Sequence, residues 1–278
     1  ISNGGPSRAR NIGWRHSCGT WIQFLDADDL LHPRKLAIQL AVATQCASDV
    51  AVVYSDWQRL IYREEKWQQS GVRCQPDPHI DALEDILLTE NFIATGSQLF
   101  RRTWLEAVCG FDERHWLIED VDLLLRIAIA GGRFHYVPSE EPLFFYRQHA
   151  SSLSHRDQRA FIDGCVRNAS MVEDHLRSKG ILTQYQIDLL TRVYFQAARN
   201  LASKDRVAFE AVVQKIEKLS PQLIPPGPRL LQILSHVCGY RRAEIFALQY
   251  RSAKAMVVKL KKKAFSSADQ PTQKSSAK

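Results

Sequence analysis

Three carboxylates, Asp26, Asp28 and Asp29, stand within four positions, directly after the run Trp21-Ile22-Gln23-Phe24-Leu25. Like charges this close repel and raise one another's pKa unless a counter-charge sits among them. A divalent cation supplies one, and hard oxygen donors suit magnesium or manganese. An Asp in this place equally serves to cap the helix that follows. A calcium loop of the EF-hand type is a worse fit. It needs glycine at the sixth position and glutamate at the twelfth, and counting from Asp26 those places hold Leu31 and Ala37. A second acidic pair, Glu119-Asp120, stands some ninety positions later and opens an amphipathic run that closes at Gly131-Gly132. The positive end of a helix dipole is a sufficient structural reason for such a pair. The alternative is catalysis.

Positioning these groups requires a short buried strand over Trp21 to Leu25, ending at the acidic cluster, where open α/β sheets bind ligands. A helix from about Pro6 to Ser17 leads into it, with a turn at Asn3-Gly4-Gly5 before it and Gly19 after it. After Pro33, KLAIQLAVATQ predicts a helix burying Leu36, Leu40 and Ala43. Asp49 to Tyr54 reads as a strand with Arg59 to Arg63 as its hairpin partner, Glu64 to Pro78 as a surface loop, and Ile80 to Thr89 as a short helix. Thr95 to Phe100 is a turn and strand. Thr103 is placed to cap the helix TWLEAVC, which Gly110 ends. Strands follow at Arg133–Val137 and Leu143–Arg147, then His149 and a serine-rich loop.

From about Arg156 strand patterns vanish. Helices are expected at 160–178, 183–202, 206–219, 229–237 and 241–260, with Pro221 to Pro228 as a breaker. The expected division is an α/β region over 1–155, a helical region over 156–265 and a disordered basic tail over 266–278. No internal repeat is evident.

Length and composition (278 residues, 45 % hydrophobic, 24 % charged) are those of a globular chain with one sizeable core and a small second domain. Net charge is +7, but Lys254 to Lys278 holds seven lysines and one aspartate, so the body is close to neutral. A nucleic-acid-binding body is not implied, and the tail offers no aromatic platform for one. The basic end after Met256-Val257-Val258 reads either as a solvated terminus or as a peripheral contact with an anionic membrane. Six scattered cysteines form no CxxC motif and predict buried free thiols in a reducing compartment. No signal peptide or membrane span is visible. The expected location is cytoplasmic, at the inner face of the membrane if the tail makes that contact.

Together these stretches resemble the family 2 glycosyltransferases of GT-A fold. Ala9-Arg10-Asn11, Gly13, Gly19, Ile22, Phe24 to Asp26, Asp28, Asp29 and Pro33 fit a segment ARNxGxxxxxGxxIxFLDADDxxxP. Gly110 to Glu113, Glu119-Asp120, Asp122, Leu123, Arg126 and Gly131 fit GGFDE…EDxDLxLRLAxxG. Tyr146, Arg147, His149, Ser152 and Ser154 fit YRxHxxSxS. The resemblance covers about residues 1–155. Cys109 replaces a usual first glycine. The opening strand of VSVIIPTYN type and the next strand are missing, so the chain reads as a fragment lacking its first nucleotide-binding strands.

The resemblance implies a mixed α/β sheet flanked by helices, followed by an all-helical region. It implies an inverting, Mn2+- or Mg2+-dependent transfer from a nucleotide-diphosphate sugar, UDP-sugar favoured, to a glycan or lipid-linked acceptor in cell-surface polysaccharide or glycoconjugate synthesis. Asp120 would be the general base, held by Glu119. Asp28 would contact the metal, with Asp29 and His149. Asp26, Arg10 and Arg147 would bind the donor. Each of Arg10 and His149 also has a plain reading, as a solvated helix residue and a loop histidine. Trp116 would stack on an acceptor sugar or, more simply, pack at the rim. The alternative function is a non-catalytic sugar-nucleotide-binding or interaction protein derived from the same fold.

Overall fold

The computed structural model describes residues 3–63, 65–74, 93–148, 157–221 and 224–268. The chain divides into two compact units, Ile1–Val193 and Tyr194–Lys278.

In the first unit, α1 (Gly5–His16) leads to β1 (Trp21–Ile22), and β2 (Leu30–Leu31) follows the acidic loop. Then come α2 (Lys35–Ala43), β3 (Val50–Tyr54), β4 (Trp57–Arg63) and β5 (Lys66–Cys74). A 3-10 turn (Thr95–Ser97) runs into β6 (Gln98–Arg101), α3 (Arg102–Ala107), α4 (Glu119–Ile129), β7 (Arg133–Tyr136) and β8 (Phe144–Gln148). Two four-stranded mixed sheets result, ordered β1-β6-β3-β7 and β2-β8-β4-β5. Strand β3 pairs antiparallel with β6 and parallel with β7. All five of its residues are buried, which is why VAVVY reads as an unbroken apolar run. Phe24, just past β1, packs edge-on against Phe100 at 5.4 Å and Phe111 at 5.1 Å.

Helix α5 (Gln158–Ser178) and α6 (Gln184–Leu201) follow, the division between the two units falling inside α6. The second unit continues with α7 (Arg206–Leu219), α8 (Arg229–Cys238) and α9 (Tyr240–Ala268). Its core holds Tyr194, Phe209, Val213 and Ala243, with Phe195 edge-on to Tyr240 at 4.5 Å. No helix among the described residues is long and apolar enough to cross a membrane.

Several expectations are corrected. The segment after Glu64 is not a loop throughout, because β5 pairs antiparallel with β4 and Tyr62 packs on Trp67 at 5.2 Å. The first strand is cut to two residues because only Trp21 and Ile22 find partners, Arg101 and Phe100. Thr103 does not cap α3, whose N-cap is Arg101 without a side-chain bond. Helix α9 runs to Ala268, into the expected tail; residues 269–278 lie outside the described residues, as does the helix expected at Ile80–Thr89. Five described cysteines are free, but Cys18 and Cys109 are exposed and Cys46, Cys165 and Cys238 half-buried, since Cys18 and Cys109 fall in loops after helices. The buried face of α2 is Lys35, Gln39 and Ala43, while Leu36 and Leu40 point outward.

Candidate active site

Helix α1 is the strut of the site. Its buried residues Ser7, Asn11 and Trp14 recur at helical spacing. Ser7 donates its hydroxyl to the His115 carbonyl at 2.8 Å. Asn11 clamps the backbone of Phe111: its Nδ2 donates to the Phe111 carbonyl at 2.8 Å, and its Oδ1 accepts from the Phe111 N–H at 2.9 Å. It also donates to Glu113 at 2.9 Å. The clamp needs a glycine beside it. Gly110 has φ +70°, and a Cβ there would lie 2.5 Å from Asn11 Oδ1. The GFDE stretch is thereby fastened to the helix that precedes the first acidic cluster.

One position earlier, Arg10 reaches both acidic motifs. Its guanidinium donates to Glu119 Oε1 at 2.6 Å and to the Asp26 carboxylate at 2.8 and 3.1 Å. Its side chain is only 12 % exposed. Burial alone would lower the Arg10 pKa, but Asp26 and Glu119 reverse this and raise it. Burial pushes the Glu119 carboxyl upward, with neighbouring Asp120 adding and Arg10 opposing.

The acidic loop is held from the other side by β8. Asp29 is buried, and its Oδ1 accepts the Arg147 backbone N–H at 2.8 Å. Burial pushes its carboxyl up to about 7 against that hydrogen bond, with Asp28 and Asp26 adding to the rise. The Arg147 side chain donates to the Asp28 carbonyl and lies 5.4 Å over the Trp67 ring. Asp28 itself is exposed. Neither Asp28 nor Asp29 caps α2, whose N-cap is Arg34.

Asp120 is half-buried in the first turn of α4. Its Oδ2 accepts the Thr95 hydroxyl at 3.2 Å and its Oδ1 the Val121 N–H at 2.9 Å. The residue before the pair, Ile118, has φ 60°, a left-handed conformation costly for a β-branched side chain. Asp122 is structural: it pairs with Arg126 at 2.8 Å, and Arg126 donates to the Val108 carbonyl at 2.7 Å.

An open groove of about 600 Å³ runs between α1 and residues 21–27, lined by Arg10, Trp14, Trp21, Phe24 and Asp26 among others. Trp116 is 52 % exposed, and its indole lies over Gly5, a placement that fits either rim packing or stacking on a sugar.

The acidic loop fits a hard divalent cation in a particular way. Among the described residues no three His, Cys, Asp or Glu side chains gather into a metal cage. Asp26 is engaged by Arg10 and Asp29 by the Arg147 backbone, while Asp28 lies at the surface. This donor set suits a cation held by one or two carboxylates together with substrate phosphates, the usual magnesium arrangement. His149, Ser152 and Ser154 lie outside the described residues. Thr95 and Asn11 are the partners that sequence reasoning did not assign. Helical spacing with Ser7 and Trp14 was available as a signal for Asn11; Thr95 carried none, because its partner is 25 positions away.

A sequence profile described as "Glycosyltransferase like family 2" matches residues 3–179. The O-antigen biosynthesis protein RfbC of Myxococcus xanthus is 27 % identical over 180 residues, 64 % of this chain and 13 % of that protein. Rhamnosyltransferase WbbL of Escherichia coli K12 is 34 % identical over 89 residues, 31 % of each chain. The succinoglycan biosynthesis protein ExoO of Rhizobium meliloti is 25 % identical over 223 residues, 78 % of this chain and 61 % of that protein. The chain thus spans less than two thirds of each of these relatives. Among solved structures, S. aureus TarS 1–349 in complex with UDP superposes with a TM-score of 0.55 at 14 % identity, over 90 % of this chain and 72 % of that one, a likeness of fold.

Proposed function

The chain belongs to glycosyltransferase family 2, and from that premise we propose that it transfers a sugar from a nucleotide-diphosphate donor to a hydroxyl of a glycan or lipid-linked acceptor. The observation that carries this reading is the Arg10 bridge. One guanidinium touches Asp26 and Glu119, so the cluster Asp26–Asp29 and the pair Glu119-Asp120 flank one place. UDP is the favoured nucleotide, because TarS carries it in a chain of the same fold. Synthesis of a cell-surface polysaccharide is the favoured setting, because RfbC and ExoO are named for O-antigen and succinoglycan.

The chemistry assigns the residues. Asp120 takes the proton from the acceptor hydroxyl as general base, and attack from the face opposite the leaving diphosphate inverts the anomeric carbon. Thr95 and the Val121 N–H orient its two oxygens. Arg147, tied to the acidic loop through the Asp28 carbonyl, would stabilise the negative charge that grows on the leaving diphosphate. Asp28 and Asp29, with His149 by resemblance, would hold Mn2+ or Mg2+, which when bound supplies Lewis-acid stabilisation of the diphosphate. Arg10 sets the spacing of the two motifs and, with Asp26, borders the donor groove.

Asp120→Asn tests the reading. Nucleotide release from its sugar donor falls by roughly 10²-fold or more with folding intact. Turnover near the parent rate would remove Asp120 as the base. Peripheral membrane contact belongs to the same proposal: Met256, Val257 and Val258 are exposed on α9, just ahead of Lys259 and Lys261 to Lys263 in the sequence. Removing residues after Leu260 then reduces co-sedimentation with anionic liposomes; unchanged co-sedimentation rules it out.

A further inference from the structure

Helix α2 turns its polar side inward. Lys35 and Gln39 are 0 % exposed, whereas Leu36 and Leu40 are 42 % and 36 % exposed. Burying an ammonium is among the costlier placements a chain can make, so its partners show what it serves. Lys35 Nζ donates to Gln23 Oε1 and, at 2.5 Å, to Gln39 Oε1. Nζ carries enough hydrogens to donate to both amide oxygens whether the amine is charged or neutral, so each amide faces its oxygen toward Lys35 and its NH2 away from it. Both NH2 groups then meet the same turn. Gln23 Nε2 donates to the Gly96 carbonyl at 3.0 Å, and Gln39 Nε2 donates to the Ser97 carbonyl at 2.8 Å and to Ser55 Oγ at 3.1 Å.

That turn, Thr95–Ser97, is closed by Ser97 N–H to the Ala94 carbonyl at 2.8 Å. It is seated tightly: a Cβ on Gly96 would lie 2.1 Å from the Phe144 ring. Its first residue is Thr95, whose hydroxyl donates to Asp120 Oδ2. A continuous set of directed hydrogen bonds therefore runs from Lys35, through two glutamines and two carbonyls, to the turn that orients the acidic residue.

We propose that Lys35 is a positioning residue for Asp120, acting through Gln23, Gln39 and the Thr95–Ser97 turn. The inference rests on the reading of Asp120 as the base. Lys35 makes no contact with Asp120. With a neutral, non-donating side chain in its place, either glutamine is free to turn its amide, the carbonyls of Gly96 and Ser97 lose their fixed donors, and Thr95 loses its aim.

The test follows the Asp120 carboxyl directly, by NMR of protein labelled with carbon-13 at aspartate carboxyls. Lys35→Met moves the Asp120 resonance in the same direction as Thr95→Val, and the double variant moves it no further. Asp122, paired with Arg126 on the same helix, stays in place. A folded Lys35→Met protein with an unmoved Asp120 resonance overturns the proposal, as do shifts that simply add in the double variant. Should Lys35→Met not fold, Gln23→Met cuts one arm at a half-buried position, and an unmoved Asp120 there is equally fatal. The base assignment fails separately. Turnover retained in Asp120→Asn would remove the base and leave this transmission standing, whereas an unmoved resonance with Asp120→Asn inactive would do the reverse.

Discussion

Arg10 and Glu119, 109 positions apart in the chain, meet at 2.6 Å with 12 % and 10 % of their side chains exposed. This contact locks the first acidic motif to the second, since the same guanidinium holds Asp26. The helix carrying Arg10 also carries Asn11 and Ser7, which fasten the loop leading into α4. The spacing of the two motifs is therefore set by one face of α1.

Arg10→Met leaves Glu119 buried without its counter-charge, which drives the carboxyl further toward its neutral form and costs up to about 3–5 kcal/mol of stability, most at alkaline pH. The Asp26 arm adds little, since that carboxylate is 47 % exposed. Because burial already raises the Glu119 carboxyl above its ordinary range, the folded state keeps a proton that the unfolded chain has released. Stability from this group is greatest at low pH and falls as pH rises, more steeply in the variant. Urea unfolding at pH 5 and pH 8 checks this: the loss in Arg10→Met is smaller at pH 5.

Asn11→Ala removes both bonds to Phe111 and strands a buried N–H and carbonyl. The expected loss is about 2–4 kcal/mol, from lost hydrogen bonds and unsatisfied groups together. Denaturant unfolding measures it, and an unchanged midpoint would contradict the clamp.

Lys35 is a depressed amine. Burial lowers it from its ordinary 10.5 to about 7. Between those values the unfolded chain binds a proton that the folded state does not, so stability rises with pH across that window. Below about 7 the cost of charging the buried amine is present in full. Lys35→Met removes this slope, which parallel unfolding series at pH 7, 8 and 9 will show.

Cys109 adopts φ 61° at an exposed position where the family often has glycine. A left-handed non-glycine residue costs about 1–2 kcal/mol, and glycine returns roughly 0.5–1 kcal/mol of that as chain entropy. Cys109→Gly therefore stabilises the protein by up to about 1 kcal/mol, read as a raised unfolding midpoint.

The proposed function predicts that UDP titrated by calorimetry will bind in a manganese-dependent way and that Asp28→Asn will weaken that binding about tenfold or more. A folded protein that binds no UDP with or without manganese supports the non-catalytic alternative.

How much of this was legible in the residues differs by element. The strand VAVVY, the helix at Glu119 and the five C-terminal helices follow from apolar spacing and breakers, which act locally. The face of α2 did not, because hydrophobic periodicity selects Leu36 and Leu40, whereas hydrogen bonds to Gln23 and the 95–97 turn bury Lys35 and Gln39. Strand β5 was hidden for a related reason: KWQQSGVRC has little apolar content, and its partner β4 supplies the ladder. The acidic motifs were visible as residues, but their meeting depends on Arg10, which the motif presents as a donor-binding candidate and not as the bridge from Asp26 to Glu119.

Manganese-induced broadening of carboxyl resonances tests the central claim that the two acidic motifs share one site. In protein labelled at aspartate and glutamate carboxyls, Mn2+ broadens Asp28 and Asp29, and with them Glu119 and Asp120. Asp49, just before β3 and paired with Arg133 at 3.5 Å, stays sharp. If Asp28 and Asp29 broaden while Glu119 and Asp120 remain as sharp as Asp49, the motifs do not share a site and the account fails.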